Sequence, residues 1–377
     1  MINPDRLAGQ FTELVTIDSV SRQEGRLCRH LRSLLDPFAS QQDVDSAGDA
    51  TGGDCGNLIV RIPGDDSLPP ILLSAHMDTV EPGRSIKPRF KDGVFSSAGD
   101  TILGADDKSA IAILLEVLHV LDEQNIPHAP MELVFTVCEE VGLLGAKHLD
   151  YGKLGAGMGY ALDTHNPDCI VTRAPAADKL SFTVLGREAH AGSSPEKGIN
   201  AISIASKAVA RLPVGRLDDL TTCNLGLIHG GVATNVVPNR VLIEGEVRSH
   251  DPERLEEVTR QLADTFRETV DTYRGRQKDD LPRAEIKIER DFDNLHISDD
   301  HLLVNRAREA ARNLGRDLEV ARSGGGSDAN IFAAHGIQVA VLGTGMENVH
   351  SVRETIRLAD MVKAAELVLE IVRNWGK

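Results

Sequence analysis

Short apolar runs alternate with segments of helical periodicity in the N-terminal part of the chain. Four runs have the length and composition of buried strands: 58–62, 71–75, 131–137 and 158–162. The clearest helical segment is 108–122, where apolar residues on two faces predict a deeply buried helix. Strands alternating with buried helices are typical of an open α/β sheet that is covered on both sides.

The pattern changes near residue 177. The following segments read as strand, helix, two strands, long charged helix and strand: 180–185, 199–212, 222–228, 240–248, 252–272 and 285–290. This β-α-β-β-α-β order is that of a ferredoxin-like α+β unit, and a hydrophilic loop is predicted from Gly275. The α/β pattern then resumes with a helix at 300–314, a strand at 339–342 and a last helix at 358–374. We therefore predict a discontinuous main domain, 1–177 and 292–377, with an inserted domain at 178–291.

Composition and charge narrow the class of protein. The chain is 41% hydrophobic and 26% charged, which is ordinary for a folded globular protein. Its 41 basic and 57 acidic residues give a formal charge of −16, which disfavours nucleic acid as a partner. The longest apolar tract, 110–121, is interrupted by Glu116 and His119 and is shorter than the ~20 residues that span a bilayer. We expect no membrane segment.

Two further features bear on the compartment. The first residues have neither the basic opening nor the apolar stretch of a secretory signal, so a cytoplasmic location is expected. The five cysteines are scattered and form no Cys-x-x-Cys pair that would suggest a thiolate zinc site or a redox dithiol. They are predicted to be reduced and mostly buried.

Polar residues follow the predicted strands where each strand ends, which is where open α/β sheets bind ligands. The residues are His76 and Asp78 after 71–75, Glu139 and Glu140 after 131–137, Asp163 after 158–162, and His350 shortly beyond 339–342. Asp106 and Asp107 precede the buried helix, whose N-terminus favours anions. One edge of the sheet is thus predicted to gather two imidazoles and several carboxylates.

Each of these groups has an ordinary structural interpretation when it is taken alone. A His-x-Asp pair is typical of a surface turn, and Asp106-Asp107 could simply cap a helix. Glu139 and Glu140 could lie in a solvated loop, although two like charges after an apolar strand resist burial without a compensating cation. The functional interpretation is favoured because independent structural roles would not place every such group at the same end of one sheet.

A mixed histidine and carboxylate set suits zinc, manganese or cobalt better than a thiolate site or an all-oxygen calcium site. The set is too large for one tetrahedral ion but fits two ions that share a bridging ligand. Two ions ~3.5–4 Å apart can activate a bridging water and polarise a carbonyl together. The remaining glutamate could then act as general base, and Asp78 could orient the ring of His76.

Four segments carry a resemblance to a known family. They are Ser74-Ala-His-Met-Asp-Thr-Val80, Leu103-Gly-Ala-Asp-Asp-Lys108, Phe135-Thr-Val-Cys-Glu-Glu-Val-Gly142 and the position of Asp163. In type, order and spacing the chain resembles the dinuclear zinc aminoacylase/carboxypeptidase-type metallopeptidases, metallopeptidase family twenty, and most of all the peptidase T branch. The resemblance covers essentially the whole chain. It implies a zinc-peptidase-like open-sheet catalytic domain with an inserted ferredoxin-like lid domain, which also serves as a dimerisation surface in relatives.

The resemblance also implies a role for each residue at the sheet edge. His76 and Asp163 would bind one zinc, Glu140 and His350 the other, and Asp106 would bridge both, while Glu139 would be the general base and Asp78 would orient His76. The family further implies a cis peptide between Asp106 and Asp107.

Matching positions in and around the lid imply groups that act on the substrate. His190 resembles a histidine that polarises the scissile carbonyl, in some members across a dimer interface. Asn235 and Arg248 resemble substrate-holding groups, and the guanidinium fork of Arg248 suits a carboxylate, although an internal ion pair is an alternative. Gly325 lies in a glycine-rich turn that resembles one lining the substrate cleft, or that could simply precede a capped helix.

The leading hypothesis is a metal-dependent hydrolase that cleaves amide bonds in short peptides as an exopeptidase, with a metal-bridging water activated by Glu139. Two alternatives remain open. One is an N-acyl amino acid deacylase or dipeptidase with the same metal ligands, so that the substrate is a short peptide or an acylated amino acid. The other is a noncatalytic peptide-binding module, which the presence of Glu139 disfavours. A homodimer formed through the lid is a further expectation.

Overall fold

The computed structural model describes residues 1–274 and 280–376, so most of the hydrophilic stretch predicted from Gly275 lies outside the described residues. The chain divides into two compact units. Unit 1 comprises Met1–Arg173, Leu295–Ser323 and Ser327–Lys377, and unit 2 comprises Ala174–Asn294 and Gly324–Gly326. No helix among the described residues is long and apolar enough to cross a membrane.

The regular elements are numbered along the chain. The helices are α1 (Pro4–Val15), α2 (Gly25–Leu35), α3 (Ala47–Thr51), α4 (Ala105–Glu123), α5 (Leu144–Lys147), α6 (Ala201–Val209), α7 (Pro252–Asp271), α8 (Leu302–Asn313), α9 (Asp328–Ala334) and α10 (Leu358–Arg373). The strands are β1 (Gln41–Val44), β2 (Leu58–Ile62), β3 (Ile71–His76), β4 (Pro88–Lys91), β5 (Val94–Ser97), β6 (Met131–Thr136), β7 (Met158–Thr164), β8 (Cys169–Ala174), β9 (Ala176–Leu185), β10 (Gly215–Arg216), β11 (Thr221–Gly230), β12 (Arg240–Ser249), β13 (Arg283–Phe292), β14 (Leu295–His296), β15 (Glu319–Arg322), β16 (Gln338–Gly343), β17 (Met346–Glu347) and β18 (Thr355–Arg357).

Unit 1 is built on a mixed sheet with the strand order β1-β2-β6-β3-β7-β16-β8-β14, and β15 pairs with β8. The four central strands β6, β3, β7 and β16 run parallel to one another. Their residues are almost all buried, as expected for strands covered on both faces. Because the four strands are parallel neighbours, their carboxyl ends lie at one edge of the sheet. The predicted α/β sheet is confirmed.

Helix α4 covers the centre of this sheet and packs against α1 and α10 as well as β3. Its residues are buried from Ala105 to Val117, which matches the predicted two-faced apolar helix. The one buried acid in its middle, Glu116, is neutralised by Arg6, with Nε 2.5 Å from the carboxylate. Asp106 and Asp107 have non-helical backbone angles, so the regular helix starts where the sequence pattern predicts it.

A second sheet of unit 1 has the order β17-β18-β5-β4. The sequence pattern does not predict it, because its strands are two to four residues long and mostly exposed or half-buried. Residues 348–354, which include His350, form the connection between the antiparallel strands β17 and β18.

Unit 2 contains an antiparallel sheet with the order β10-β11-β12-β9-β13. Without the short β10, the sequence β9-α6-β11-β12-α7-β13 is the predicted ferredoxin-like unit. Helices α6 and α7 pack on the sheet through a common apolar core, in which Phe182 stacks on Phe266 at 4.7 Å between ring centroids. Strand β11 extends two residues past its predicted end. Its last residues are exposed, so the sequence there lacks the alternation of apolar and polar residues that indicates a half-buried strand.

Candidate metal centre

The predicted ligands all belong to unit 1, and the parallel strands explain their placement. His76 is the last residue of β3, Asp163 is the penultimate residue of β7, Glu139 and Glu140 follow β6, Asp106 lies at the start of α4, and His350 lies in the β17–β18 connection. Strands β3, β6 and β7 are parallel neighbours, so they end at the same edge of the sheet. The strand-end argument from the sequence therefore has a direct structural basis.

Asp106 lies between the two histidines. Its Oδ1 is 2.9 Å from Nε2 of His76, and its Oδ2 is 3.3 Å from Nε2 of His350. The same His350 nitrogen is 3.0 Å from both carboxylate oxygens of Glu140. One oxygen of Asp106 thus faces each imidazole, which is the arrangement that a bridging carboxylate requires.

Asp78 fixes the other side of this group. Its backbone oxygen is 2.9 Å and its Oδ1 is 3.4 Å from Nδ1 of His76. The same carboxylate accepts the backbone N–H groups of Glu139 at 2.9 Å and Glu140 at 3.2 Å, and the Ser21 hydroxyl at 2.6 Å. Asp78 therefore holds both the imidazole of His76 and the turn that carries the two glutamates.

At this edge of the sheet, two sets of side chains have ligand atoms that lie within 4.8 Å of one another. They are His76, Asp106 and Glu140, and Asp106, Asp107 and Asp163. Asp106 belongs to both sets, and together with the His350 contacts they include every residue predicted to bind metal. Asp107 is a further carboxylate that the sequence interpretation leaves without a role; its Oδ2 accepts the backbone N–H of His76 at 3.1 Å.

The peptide that joins Asp106 to Asp107 is cis, as the family resemblance implies. The preceding backbone is held by Glu354, a buried residue between His350 and β18. Its carboxylate accepts the N–H groups of Leu103 at 2.7 Å, Gly104 at 2.8 Å and Asp106 at 3.0 Å. Sequence reasoning missed Glu354 because it follows no predicted strand; its only signal is an acid four residues after a candidate ligand.

Several buried carboxyl groups of this site have raised pKa values, which a bound cation would lower. Burial first, and then the neighbouring carboxylates, raise the pKa of Glu139 and of Asp163 well above the ordinary value. Burial alone would lower the pKa of His76, but hydrogen bonds with Asp106 and Asp78 raise it well above its usual range. Asp107 has a raised pKa through burial, and its Oδ1 has no hydrogen-bond partner within residues 1–274 and 280–376. A cluster of acids that are expensive to ionise together is the kind of site that a divalent ion stabilises.

Comparison with known proteins decides the family. The model of peptidase family M20/M25/M40 matches residues 72–374. The chain belongs to this family.

Individual relatives agree with this assignment over the full length. The Bacillus subtilis (strain 168) protein YqjE is 40% identical, with all of both chains covered. The crystal structure of aminopeptidase PepT from Bacillus cereus is similar with a TM-score of 0.90 at 39% identity, covering 100% of each chain. That of a tripeptidase from Staphylococcus aureus is similar with a TM-score of 0.92 at 39% identity, covering 99% of this chain and 98% of the other. The predicted family and the metallopeptidase class are confirmed.

One further acid in unit 1 of this M20 peptidase adds to the charge near the centre. Asp328, the first residue of α9, is buried, and its Oδ2 accepts the hydroxyl of Thr136 at 2.5 Å. Burial raises its pKa to about 6. The sequence predicts a glycine-rich turn that resembles one lining the substrate cleft, with a turn before a capped helix as the alternative. The capped helix is present, because Ser327 and Asn330 form a capping box. The acid next to the cap was not recognised as part of the electrostatic environment.

In unit 2, the structure brings His190 and Asn235 together. His190 pairs with Val236 in an isolated β-bridge, and the N–H of Ala191 donates to the backbone oxygen of Asn235 at 2.9 Å. Nδ1 of His190 accepts the N–H groups of Gly192 and Ser193, each at 3.1 Å. A neutral ring that accepts at Nδ1 carries its proton on Nε2, so this exposed histidine presents an N–H donor.

The other two predicted substrate residues also lie together in unit 2. A Cβ added at Gly325 would be 3.4 Å from a terminal guanidinium nitrogen of Arg248, which is ordinary contact. Arg248 is already paired with Glu246, with Nε 2.9 Å from the carboxylate and the other terminal nitrogen donating at 3.1 Å. The internal ion pair considered for Arg248 is therefore present.

Proposed function

We propose that this M20 peptidase hydrolyses short peptides as a metal-dependent exopeptidase and that it uses two zinc ions, with manganese and cobalt as the alternatives. The observation that carries the proposal is the position of Asp106, with one carboxylate oxygen toward His76 and the other toward His350. A shared carboxylate between two imidazoles is what a pair of ions with one bridging ligand requires.

The donor set fits such ions. His76 and Asp163 would hold one ion, Glu140 and His350 the other, and Asp106 both. These ligands are all imidazole nitrogens and carboxylate oxygens, which suit zinc and manganese better than thiophilic ions. When bound, two divalent ions would acidify the attacking water and polarise the scissile carbonyl.

Glu139 is the proposed general base. Its backbone is fixed by Asp78, and burial raises the pKa of its carboxyl well above the usual value, which favours the form that holds a proton. Glu139 accepts a proton from the attacking water and donates it to the amine that leaves. Asp78 acts as a positioning residue, because it touches His76 and the glutamate turn at once.

The groups of unit 2 are proposed to act on the substrate. The Nε2–H of His190 donates to the carbonyl oxygen that becomes negative in the transition state. Arg248 holds a substrate carboxylate, for which Glu246 stands in when no substrate is bound. Asn235 and Gly325 complete the set, with Asn235 offering an amide and Gly325 leaving space beside Arg248.

The preferred substrate is proposed to be a tripeptide or another short peptide. Support comes from the two similar crystal structures at 39% identity, one an aminopeptidase PepT and the other a tripeptidase. N-acyl amino acids and dipeptides are the alternative substrates, and noncatalytic peptide binding is the second alternative. A homodimer through unit 2 and a cytoplasmic location belong to the same proposal.

The test combines a substrate panel with one variant. The zinc-loaded protein is assayed on tripeptides, dipeptides and N-acetyl amino acids, and tripeptides are expected to be hydrolysed fastest. In Glu139→Gln, kcat should fall roughly 10²–10⁴-fold while the bound zinc, measured by elemental analysis, stays unchanged. Glu309→Gln, which changes an exposed glutamate of α8, is the control and should keep full activity.

Two outcomes would overturn the proposal. Undiminished turnover in Glu139→Gln would reject Glu139 as the base. A wild-type protein that is silent on all three substrate classes would favour the peptide-binding alternative.

A further inference from the structure

A second group of metal-binding side chains lies at the start of α2, among residues with no part in the proposed centre. Glu24 directly precedes α2, and Cys28 lies in its first turn; Asp54 and Cys55 lie between α3 and β2. One ligand atom each of Glu24, Asp54 and Cys55 lies within 4.8 Å of the others. The thiol of Cys28 is a neighbour of the thiol of Cys55, and each shifts the pKa of the other. We name these four residues the thiol–carboxylate cluster.

Glu24 is fully buried and only half satisfied. Its Oε1 accepts the backbone N–H groups of Arg22 and Cys138, each at 3.0 Å. Its Oε2 has no hydrogen-bond partner in the part of the chain that the structure describes. A buried carboxylate oxygen without a partner is costly, and burial raises the pKa of Glu24 to about 7. The free oxygen is therefore available to a ligand that the protein itself does not supply.

Asp54 is held in place by the backbone at the start of α2. Its Oδ1 accepts the N–H of Gly25 at 2.8 Å, and its own N–H donates to the backbone oxygen of Arg22 at 3.1 Å. A Cβ at position 25 would lie 2.8 Å from Oδ2 of Asp54, a distance that real Cβ atoms essentially never show. The glycine at this position thus allows the carboxylate to approach, and Asp54 remains exposed, which leaves a path for an ion to enter.

The two thiols affect each other's ionisation. The neighbouring Cys55 lowers the pKa of Cys28 against the opposing effect of burial, while Cys28 and burial raise the pKa of Cys55. One thiolate is thus favoured over two, and a divalent ion would stabilise both. The sequence gives no hint of the pair, because Cys28 and Cys55 are not spaced as a metal-binding motif.

We propose that Glu24, Cys28, Asp54 and Cys55 bind one thiophilic divalent cation, Zn²⁺ by preference, with two sulfur and two oxygen ligands. Four such ligands match the tetrahedral coordination of structural zinc sites. The site is separate from the proposed dinuclear centre, whose ligands include no sulfur. One hydrogen bond connects the site to the segment that carries the proposed base: Glu24 accepts the backbone N–H of Cys138, the residue before Glu139.

The test uses cadmium, because thiolate ligands give Cd²⁺ an ultraviolet charge-transfer absorption that imidazole and carboxylate ligands do not. The full-length protein is kept reduced with a phosphine and titrated with Cd²⁺. The wild type should develop the thiolate absorption, and Cys55→Ser and Cys28→Ser should lose about half of it or more. Cys169→Ser, which changes a buried cysteine in β8, is the matched control and should keep it.

A second pair of variants avoids any dependence on the folding of the cysteine mutants. Asp54→Asn and Glu24→Gln keep the size of the side chain and remove one charged ligand each. Each should weaken Cd²⁺ binding by at least about tenfold, the smallest loss expected when even an outer partner of a metal site is removed.

The readout is independent of peptidase activity, so the proposed function and this site can fail separately. Absence of the thiolate absorption in the wild type would overturn the proposal. An absorption that persists in Cys55→Ser and disappears in Cys169→Ser would overturn it as well. Unchanged affinity in both carboxylate variants would remove Glu24 and Asp54 from the site and with them the proposed coordination.

Discussion

The predicted functional residues of the two units differ in how they are held. In unit 1, His76, Asp106 and Glu140 contact one another or share a partner, and their contacts are between 2.9 and 3.3 Å. In unit 2, His190 and Asn235 are exposed, and Arg248 pairs with its own neighbour Glu246. The residues of the first group contact one another, whereas those of the second group contact mainly nearby residues of unit 2 that have no predicted role in metal binding.

The difference teaches where each kind of residue can be recognised. The position of a metal ligand at the end of a strand follows from the fold, because the other ligands lie at the same sheet edge. The role of a residue that contacts the substrate depends on the substrate, which the fold alone does not specify. Unit 1 should therefore determine metal content, and unit 2 should affect turnover without affecting metal content.

The largest effect is expected for Asp106→Ala. Loss of the shared carboxylate should release metal and lower kcat/KM by about 10³-fold or more, since metal-ion catalysis contributes several kcal/mol. Elemental analysis and a peptidase assay measure the two effects. Asp122→Ala, at the exposed far end of α4, is the control. Retention of both ions in Asp106→Ala would contradict the bridging role.

His190→Ala tests the other side of the comparison. We expect kcat to fall about 10²–10³-fold, as for the loss of one donor to a developing oxyanion, with KM and metal content little changed. The exposed His229 of β11 provides the control, as His229→Ala. If His190→Ala lost metal instead, the separation of roles between the two units would be wrong.

Glu354→Gln tests whether the hydrogen bonds that hold the backbone at Asp106 affect metal binding as strongly as the ligands themselves. The substitution weakens the acceptor of three N–H groups that position Asp106, so metal affinity should fall about 10–100-fold and thermal stability should decrease. Titration of the metal-free protein measures the affinity. Glu347→Gln, an exposed change in the same hairpin, should have no effect, and equal affinities in the two variants would argue against the support role.

The last expected effect is a pH dependence, which is the smallest when it is counted for a single pH unit. Hydrogen bonds with Asp106 and Glu140 raise the pKa of His350 to about 10 in the metal-free protein, so a proton occupies this ligand at neutral pH. A metal ion must displace that proton, and metal affinity should therefore rise about tenfold per pH unit up to pH ~10 for this proton and level off above it. Calorimetry in buffers of different ionisation enthalpy counts the protons released. An affinity that is flat from pH 7 to 9 would contradict the assignment.

Much of the fold and of the centre could be predicted from the sequence for physical reasons. Strands buried on both faces are continuous apolar runs, and the polar residue after such a run lies at the sheet edge where ligands bind. His76 at the end of β3 and Asp163 near the end of β7 illustrate this directly. The residue roles at the centre remain predictions that the variants above test.

Other features leave no pattern in the sequence. Glu354 accepts hydrogen bonds from backbone N–H groups, which every residue type except proline carries, so no particular partner residue in the sequence reveals its role. The β17–β18 and β4–β5 strands are too short and too exposed to alternate. Cys28 and Cys55 become neighbours only because the loop before β2 meets the start of α2.

The positions at which the chain leaves unit 1 and returns to it have a consequence for diversification. The insertion departs after β8 and returns at β14, and these two strands are neighbours in the sheet of unit 1. The entropic cost of closing a segment whose two ends are held together grows only slowly with its length. An insertion of a different length or sequence at this position would therefore leave the order of the parallel strands in unit 1 intact.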